Sequence, residues 1–106
     1  LLKLLRNNEM LECLHLIHCH QGSQIANVKD IEHYINELAH VYVGLCKLGV
    51  DLKVIDVGGG LAVDYEGSRS RSFNSTNYSL GDYAFTMLSK IKELADKNDV
   101  PIPQVY

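Results

Sequence analysis

The sequence has no CxxC pair, no surplus of basic charge and no apolar run near the roughly 20 residues of a membrane span. Its three cysteines, Cys13, Cys19 and Cys46, are odd in number and scattered. That speaks against a disulfide framework and for reduced thiols in a cytoplasmic protein. A net charge of −3 argues against nucleic acid or an anionic membrane as the main partner. Low-complexity segments and close internal repeats are missing. There is no initiating Met and no signal pattern at Leu1-Leu2-Lys3, and Val105-Tyr106 falls in an expected strand. The expectation is an internal piece of a longer protein. What remains is one small domain of 106 residues, 46% apolar and 22% charged.

Leu1, Leu2, Leu4 and Leu5 read as the last turns of an amphipathic helix ended by Asn7-Asn8. The apolar run from Cys13 to Cys19 has strand length, and a turn follows at residues 20–24. Asn27 is a candidate N-cap with Asp30 three residues on. Ile31, Tyr34, Ile35, Leu38, Tyr42 and Leu45 then form one apolar stripe, and Gly49 stands at the C-cap. Residues 52–57 form a second strand, halted by Gly58-Gly59-Gly60, before a long polar loop over 61–78. Ser79 caps a third helix with Asp82 at the matching position. Its stripe is Leu80, Tyr83, Ala84, Met87, Leu88, Ile91, Leu94 and Ala95. Residues 100–103 stop it, and Gln104 opens a third strand.

Strands alternating with helices imply an α/β fold with parallel strands and right-handed crossovers. An eight-stranded barrel and an open doubly wound sheet compete for this pattern. In both, ligands gather at the C-terminal ends of the strands. Both glycine-containing turns follow strands directly, so both belong to that rim. Gly58-Gly59-Gly60 would let a backbone approach an anion, or could be a tight turn alone. Gly59 is the position where an added Cβ is expected to intrude on an anion and to meet a positive φ. His18 and His20 share one strand face. A metal pair is one reading; a satisfied core histidine suits His18, and the rim position of His20 favours function. Ser23 could donate to a phosphate or serve its own turn. Cys19 alternates to the other face as a small packed hydrophobe. The Ser and Arg residues of 68–72 fit a solvated loop or an anion site. Asp64, Tyr65 and Glu66 are a solvated loop cluster or, beside a cationic substrate, its complement.

Together, His20-Gln21-Gly22-Ser23-Gln24 and Asp56-Val57-Gly58-Gly59-Gly60 resemble the fold-type III pyridoxal-phosphate (PLP) decarboxylases, which share the alanine-racemase-like barrel. The stretches from Leu16 to Asn27 and from Ile55 to Tyr65 are similar to the biosynthetic arginine decarboxylases, as are Glu66-Gly67-Ser68-Arg69-Ser70 and Asn77-Tyr78-Ser79. Cys19 and Gln21 stand where that family has bulkier or more apolar residues, and Ala62 where glycine is usual.

The resemblance implies about three βα units of a (β/α)8 barrel, with residues 1–106 an internal part of its PLP-binding domain. It implies that His20 is the catalytic residue, stacked on the cofactor ring. Ser23, Gly58, Gly59 and Gly60 would bind its phosphate. Ile55, Asp56, Val57, Gly58, Gly59, Gly60, Leu61, Ala62, Val63, Asp64 and Tyr65 would line the substrate cleft. The lysine that anchors the cofactor is expected upstream, and the partner of the pyridine nitrogen just after Tyr106. The implied reaction turns L-arginine into agmatine and CO2 for polyamine synthesis, with PLP, magnesium and a homo-oligomeric parent. Alternatives are a sibling acting on ornithine, lysine or diaminopimelate, or a non-catalytic PLP-binding homeostasis barrel.

Overall fold

The computed structural model describes residues 1–20, 28–59 and 79–106. Helix α1 (Leu2–Asn7), strand β1 (Leu16–His18), helix α2 (Val28–Lys47), strand β2 (Val54–Asp56), helix α3 (Leu80–Lys97) and strand β3 (Gln104–Val105) follow in that order. The strands form one parallel sheet, ordered β1-β2-β3. Ile17 pairs with Ile55, and Ile55 with Val105, so one apolar row crosses the sheet. The order never reverses, so the described residues hold no switch point of the kind that divides a doubly wound sheet. Consecutive parallel strands with helices against one face form an arc of a barrel wall.

The stripe of α2 is buried as its spacing dictates: Ile31, Tyr34, Ile35, Leu38 and Tyr42 all lie in the core. From α3 come Tyr83, Met87, Ile91 and Leu94, and from the sheet Leu52, Ile55 and Val57. Fully burying one such side chain contributes about 1.5–3 kcal/mol. An exposed pair such as Lys92–Asp96, 2.7 Å apart, contributes about 0.5 kcal/mol. The burial of Ile31, Ile35, Ile55 and Ile91 therefore decides which face of the sheet the helices take. Tyr42 adds a polar tie, its hydroxyl donating to the Pro101 carbonyl at 2.7 Å across the core.

All three helices stop in one way. Gly49 adopts φ 92°, its N–H donates to the Cys46 carbonyl, and the Val50 N–H reaches back to Leu45. This six-to-one bond closes a Schellman motif. Asp99 at φ 56° repeats it with Asp96 and Ala95, and Glu9 at φ 54° with Arg6 and Leu5. Asp99 thus ends α3 before residues 100–103, where the stop was expected. The start of α3 is as expected: the Asp82 N–H donates to Ser79 Oγ at 3.0 Å, and the Ser79 N–H to Asp82 Oδ2 at 2.9 Å. Asn27, the expected cap of α2, lies outside the described residues.

Several boundaries differ from the sequence pattern. Cys13 belongs to a 3-10 turn, Leu11–Cys13, because its N–H turns back to Met10. The second strand shrinks to Val54–Asp56. Leu80 and Leu88 sit on the expected stripe of α3, yet they are 69% and 52% exposed. They occupy the flank of the helix and wall a groove at the rim. Helix α1 buries no residue; Leu2 alone touches the core, and Arg6 ties the helix to α2 by donating to the Leu48 carbonyl.

Candidate functional site

The site forms where β1 and β2 end. Their ladder closes with the Cys19 N–H donating to the Asp56 carbonyl at 3.1 Å. The next donor in line, the Gly58 N–H, turns instead to Asp56 Oδ1 at 2.9 Å. This is an Asx turn, in which a side-chain carboxylate replaces a backbone acceptor. Gly58 itself adopts φ 68°, a left-handed conformation that glycine takes at little cost. An added Cβ would lie 2.8 Å from His20 Nδ1 and 3.0 Å from the Cys19 carbonyl oxygen. The positive φ expected at Gly59 therefore falls on Gly58. Gly59 has no positive φ, and its Cβ would meet His20 Cε1 at an ordinary 3.5 Å.

Gly59 and His20 meet directly, with the Gly59 N–H donating to Nδ1 at 3.1 Å. That bond leaves the other imidazole nitrogen, Nε2, to carry the proton of the neutral ring. Both residues are exposed. Asp56 has a second partner, His18, whose Nδ1 lies 3.1 Å from Oδ2. The Gly58 N–H first, and His18 with it, hold the Asp56 carboxyl below the usual carboxylate range. Each oxygen of Asp56 thus has a partner within the turn or the strand beside it.

Tyr34 rises from α2 beneath this junction. Its hydroxyl reaches the Val57 carbonyl at 2.8 Å and the Cys19 carbonyl beside it. Burial, with Cys19 next, pushes the Tyr34 phenol up, so it stays a donor. The sequence pattern marked Tyr34 only as part of an apolar stripe. At the start of α3 the Asp82 carboxylate accepts from the Ser79 amide and hydroxyl. Beside the glycine turn a groove of about 490 Å3 is walled by Val57, Gly58, Gly59, Tyr83, Met87 and Tyr106, with Leu80 and Leu88 at its edge.

Of the residues picked out in the sequence, the structure brings together His20, Asp56, Gly58 and Gly59. Ser23, Gly60, Leu61, Ala62, Val63, Asp64 and Tyr65 lie outside the described residues. Ile55, expected to line the cleft, is fully buried against the helices instead, because alternate strand residues face opposite ways. Val57 points the same way, is 4% exposed, and only borders the groove. His18 is not a core histidine: its side chain is half exposed, on the sheet face that the helices leave open. Cys19 is likewise exposed and not packed away. Among the described residues no group of three or more His, Cys, Asp or Glu could hold a metal ion, so the expected magnesium has no site there. No helix among them is long and apolar enough to cross a membrane.

The residues present fit PLP. An exposed imidazole meets the Gly59 backbone at the rim, a Cβ at Gly59 would find only an ordinary contact, and the adjoining carboxylate, Asp56, is held by Gly58 and His18.

Comparison with known proteins agrees. Residues 2–104 match the family described as pyridoxal-dependent decarboxylase, pyridoxal binding domain. The biosynthetic arginine decarboxylase of Shewanella amazonensis is 48% identical over 101 residues, covering 95% of this chain and 16% of that protein. That of Aeromonas salmonicida is 48% identical over 105 residues, covering 99% and 17%. The crystal structure of the Campylobacter jejuni biosynthetic arginine decarboxylase superposes with a TM-score of 0.88 at 36% identity, over 98% of this chain and 17% of that one. The chain thus spans about one-sixth of the length of these relatives. It belongs to the pyridoxal-dependent decarboxylases, within their pyridoxal-binding domain.

Proposed function

We propose that this chain supplies the phosphate and ring-face contacts of an enzyme that converts L-arginine to agmatine and CO2 with PLP, in the cytoplasm and for polyamine synthesis. The observation that carries the reading is the meeting of His20 with the Gly58–Gly59 turn across two strand ends. The choice of arginine is supported by the names of the relatives. In the reaction the Cα–carboxylate bond breaks, CO2 leaves, and a proton takes its place.

PLP, when bound, supplies the electron sink for that bond cleavage. The chain's own residues do the positioning. Asp56 shapes the turn by accepting from Gly58. Gly59 would keep the rim clear of a side chain beside a phosphate oxygen, and Gly60 and Ser23 would supply donors to it. His20, held at Nδ1, presents a flat imidazole beside the turn for the pyridine face. The inner sheet face carries His18 and Asp56 as its polar pair. Magnesium enters the proposal only as a requirement of the whole enzyme, with ligands outside the described residues, and the parent is taken as a homo-oligomer.

The test is a full-length decarboxylase carrying this segment, assayed with PLP for CO2 release from arginine, ornithine, lysine and diaminopimelate. Preference for arginine supports the proposal. Preference for another of the four makes it a sibling enzyme, and PLP binding without CO2 release from any makes it a homeostasis barrel.

A further inference from the structure

We propose that Tyr34 is a positioning residue for the cofactor cradle: its hydroxyl, set between the carbonyls of Cys19 and Val57, locks the exits of β1 and β2 together. The inference rests on the reading of His20 and Gly58–Gly59 as the cofactor-facing pair.

The argument starts from the ladder. In the register observed, the Gly58 N–H would be the next donor to the Cys19 carbonyl. Asp56 captures that N–H, so the Cys19 carbonyl loses its strand partner one residue before His20. A part-buried carbonyl left unpaired carries a cost, and a turn with a spare acceptor has other ways to fold. Tyr34 supplies the missing donor from below. It is 7% exposed, so its ring has no freedom to leave, and its hydroxyl spans both strand exits. The two carbonyls that share its one proton belong to the residues directly before His20 and Gly58. Fixing them fixes the base from which the imidazole and the glycine turn project. No other side chain among the described residues is recorded bonding to either carbonyl.

Tyr34→Phe removes one oxygen and keeps the packing. In a full-length decarboxylase carrying this segment, it is expected to weaken PLP binding by about fivefold, the effect of one typical hydrogen bond. Absorbance titration of the apo-enzyme reads the affinity. Amide exchange of the apo-enzyme should accelerate at residues 19–20 and 57–59, while kcat at saturating PLP stays within about twofold of wild type. Ile91→Val, in the core on α3, is the control for general destabilisation. It should lower the melting temperature and leave PLP affinity and exchange at those residues unchanged. The proposal is overturned if Tyr34→Phe binds PLP as wild type does, or if both variants weaken PLP alike. A wild-type enzyme that does not bind PLP would sink the cofactor reading itself, and this inference with it.

Discussion

Gly58→Ala tests the site most sharply. At φ 68° an alanine pays about 1–2 kcal/mol for the left-handed conformation alone. The new Cβ would also stand 2.8 Å from His20 Nδ1 and 3.0 Å from the Cys19 carbonyl oxygen. The imidazole can swing aside, but only by giving up its bond from the Gly59 N–H. The carbonyl is backbone, tied to Tyr34, and cannot swing. If cofactor binding must restore the native turn, the conformational term alone weakens PLP by roughly five- to thirtyfold. Gly59→Ala is the comparison: its Cβ meets His20 Cε1 at an ordinary 3.5 Å, so apo stability should change by less than about 0.5 kcal/mol. Any loss of PLP affinity at Gly59 then reports contact with the ligand, whereas a loss at Gly58 reports the turn. Absorbance titration of both apo-variants with PLP, beside their thermal melts, separates the two. The reasoning fails if Gly58→Ala binds PLP as wild type does, or if Gly59→Ala destabilises the apo-protein as much as Gly58→Ala.

Asp99→Gly should stabilise the protein by up to about 1 kcal/mol in denaturant melts, since glycine takes φ 56° without strain. Gly49→Ala should cost about 1 kcal/mol by the same measure, and for conformation alone, because nothing lies nearer than Arg6 at 4.0 Å. Asp56 is more acidic folded than unfolded, so its contribution is present above the ordinary carboxylate range and is lost as pH falls through the depressed value. Amide protection at Gly58, taken relative to the intrinsic exchange rate at each pH, should therefore fall only below that range, and Asp56→Ala should lose it at neutral pH as well. The 106-residue chain alone should self-associate, because β1 and β3 each lack a neighbour on one side among the described residues. Size-exclusion chromatography showing a stable monomer with a reversible melt would count against this.

The periodic parts of the fold were legible in the sequence. The stripes of α2 and α3, the capping box at Ser79 and the stop at Gly49 each rest on local chemistry that a few neighbouring residues specify. The rim position of His20 and the glycine turn followed from strand-helix alternation. Other features depend on pairing across the chain. Whether Ile55 faces a cleft or a core turns on which sheet face the helices cover, and period-two alternation alone does not say which. The stops at Glu9 and Asp99 use left-handed residues other than glycine, so no glycine marks them. Asp56 two residues before Gly58 did carry a readable signal, that of an Asx turn.

The hydroxyl of Tyr34 carried no such signal. A tyrosine at a stripe position looks like any other large apolar residue until the acceptor it serves is known. That acceptor exists only because Asp56 takes a donor out of the ladder. The same substitution of side chain for backbone does three things at one place. It ends the β1–β2 pairing, adjoins the left-handed conformation at Gly58, and leaves Gly59 to present its amide to His20 at the surface. The proposed cofactor site thus arises from how a strand pair stops: one carboxylate below the rim, one hydroxyl beneath it, and glycines where side chains would fill the space.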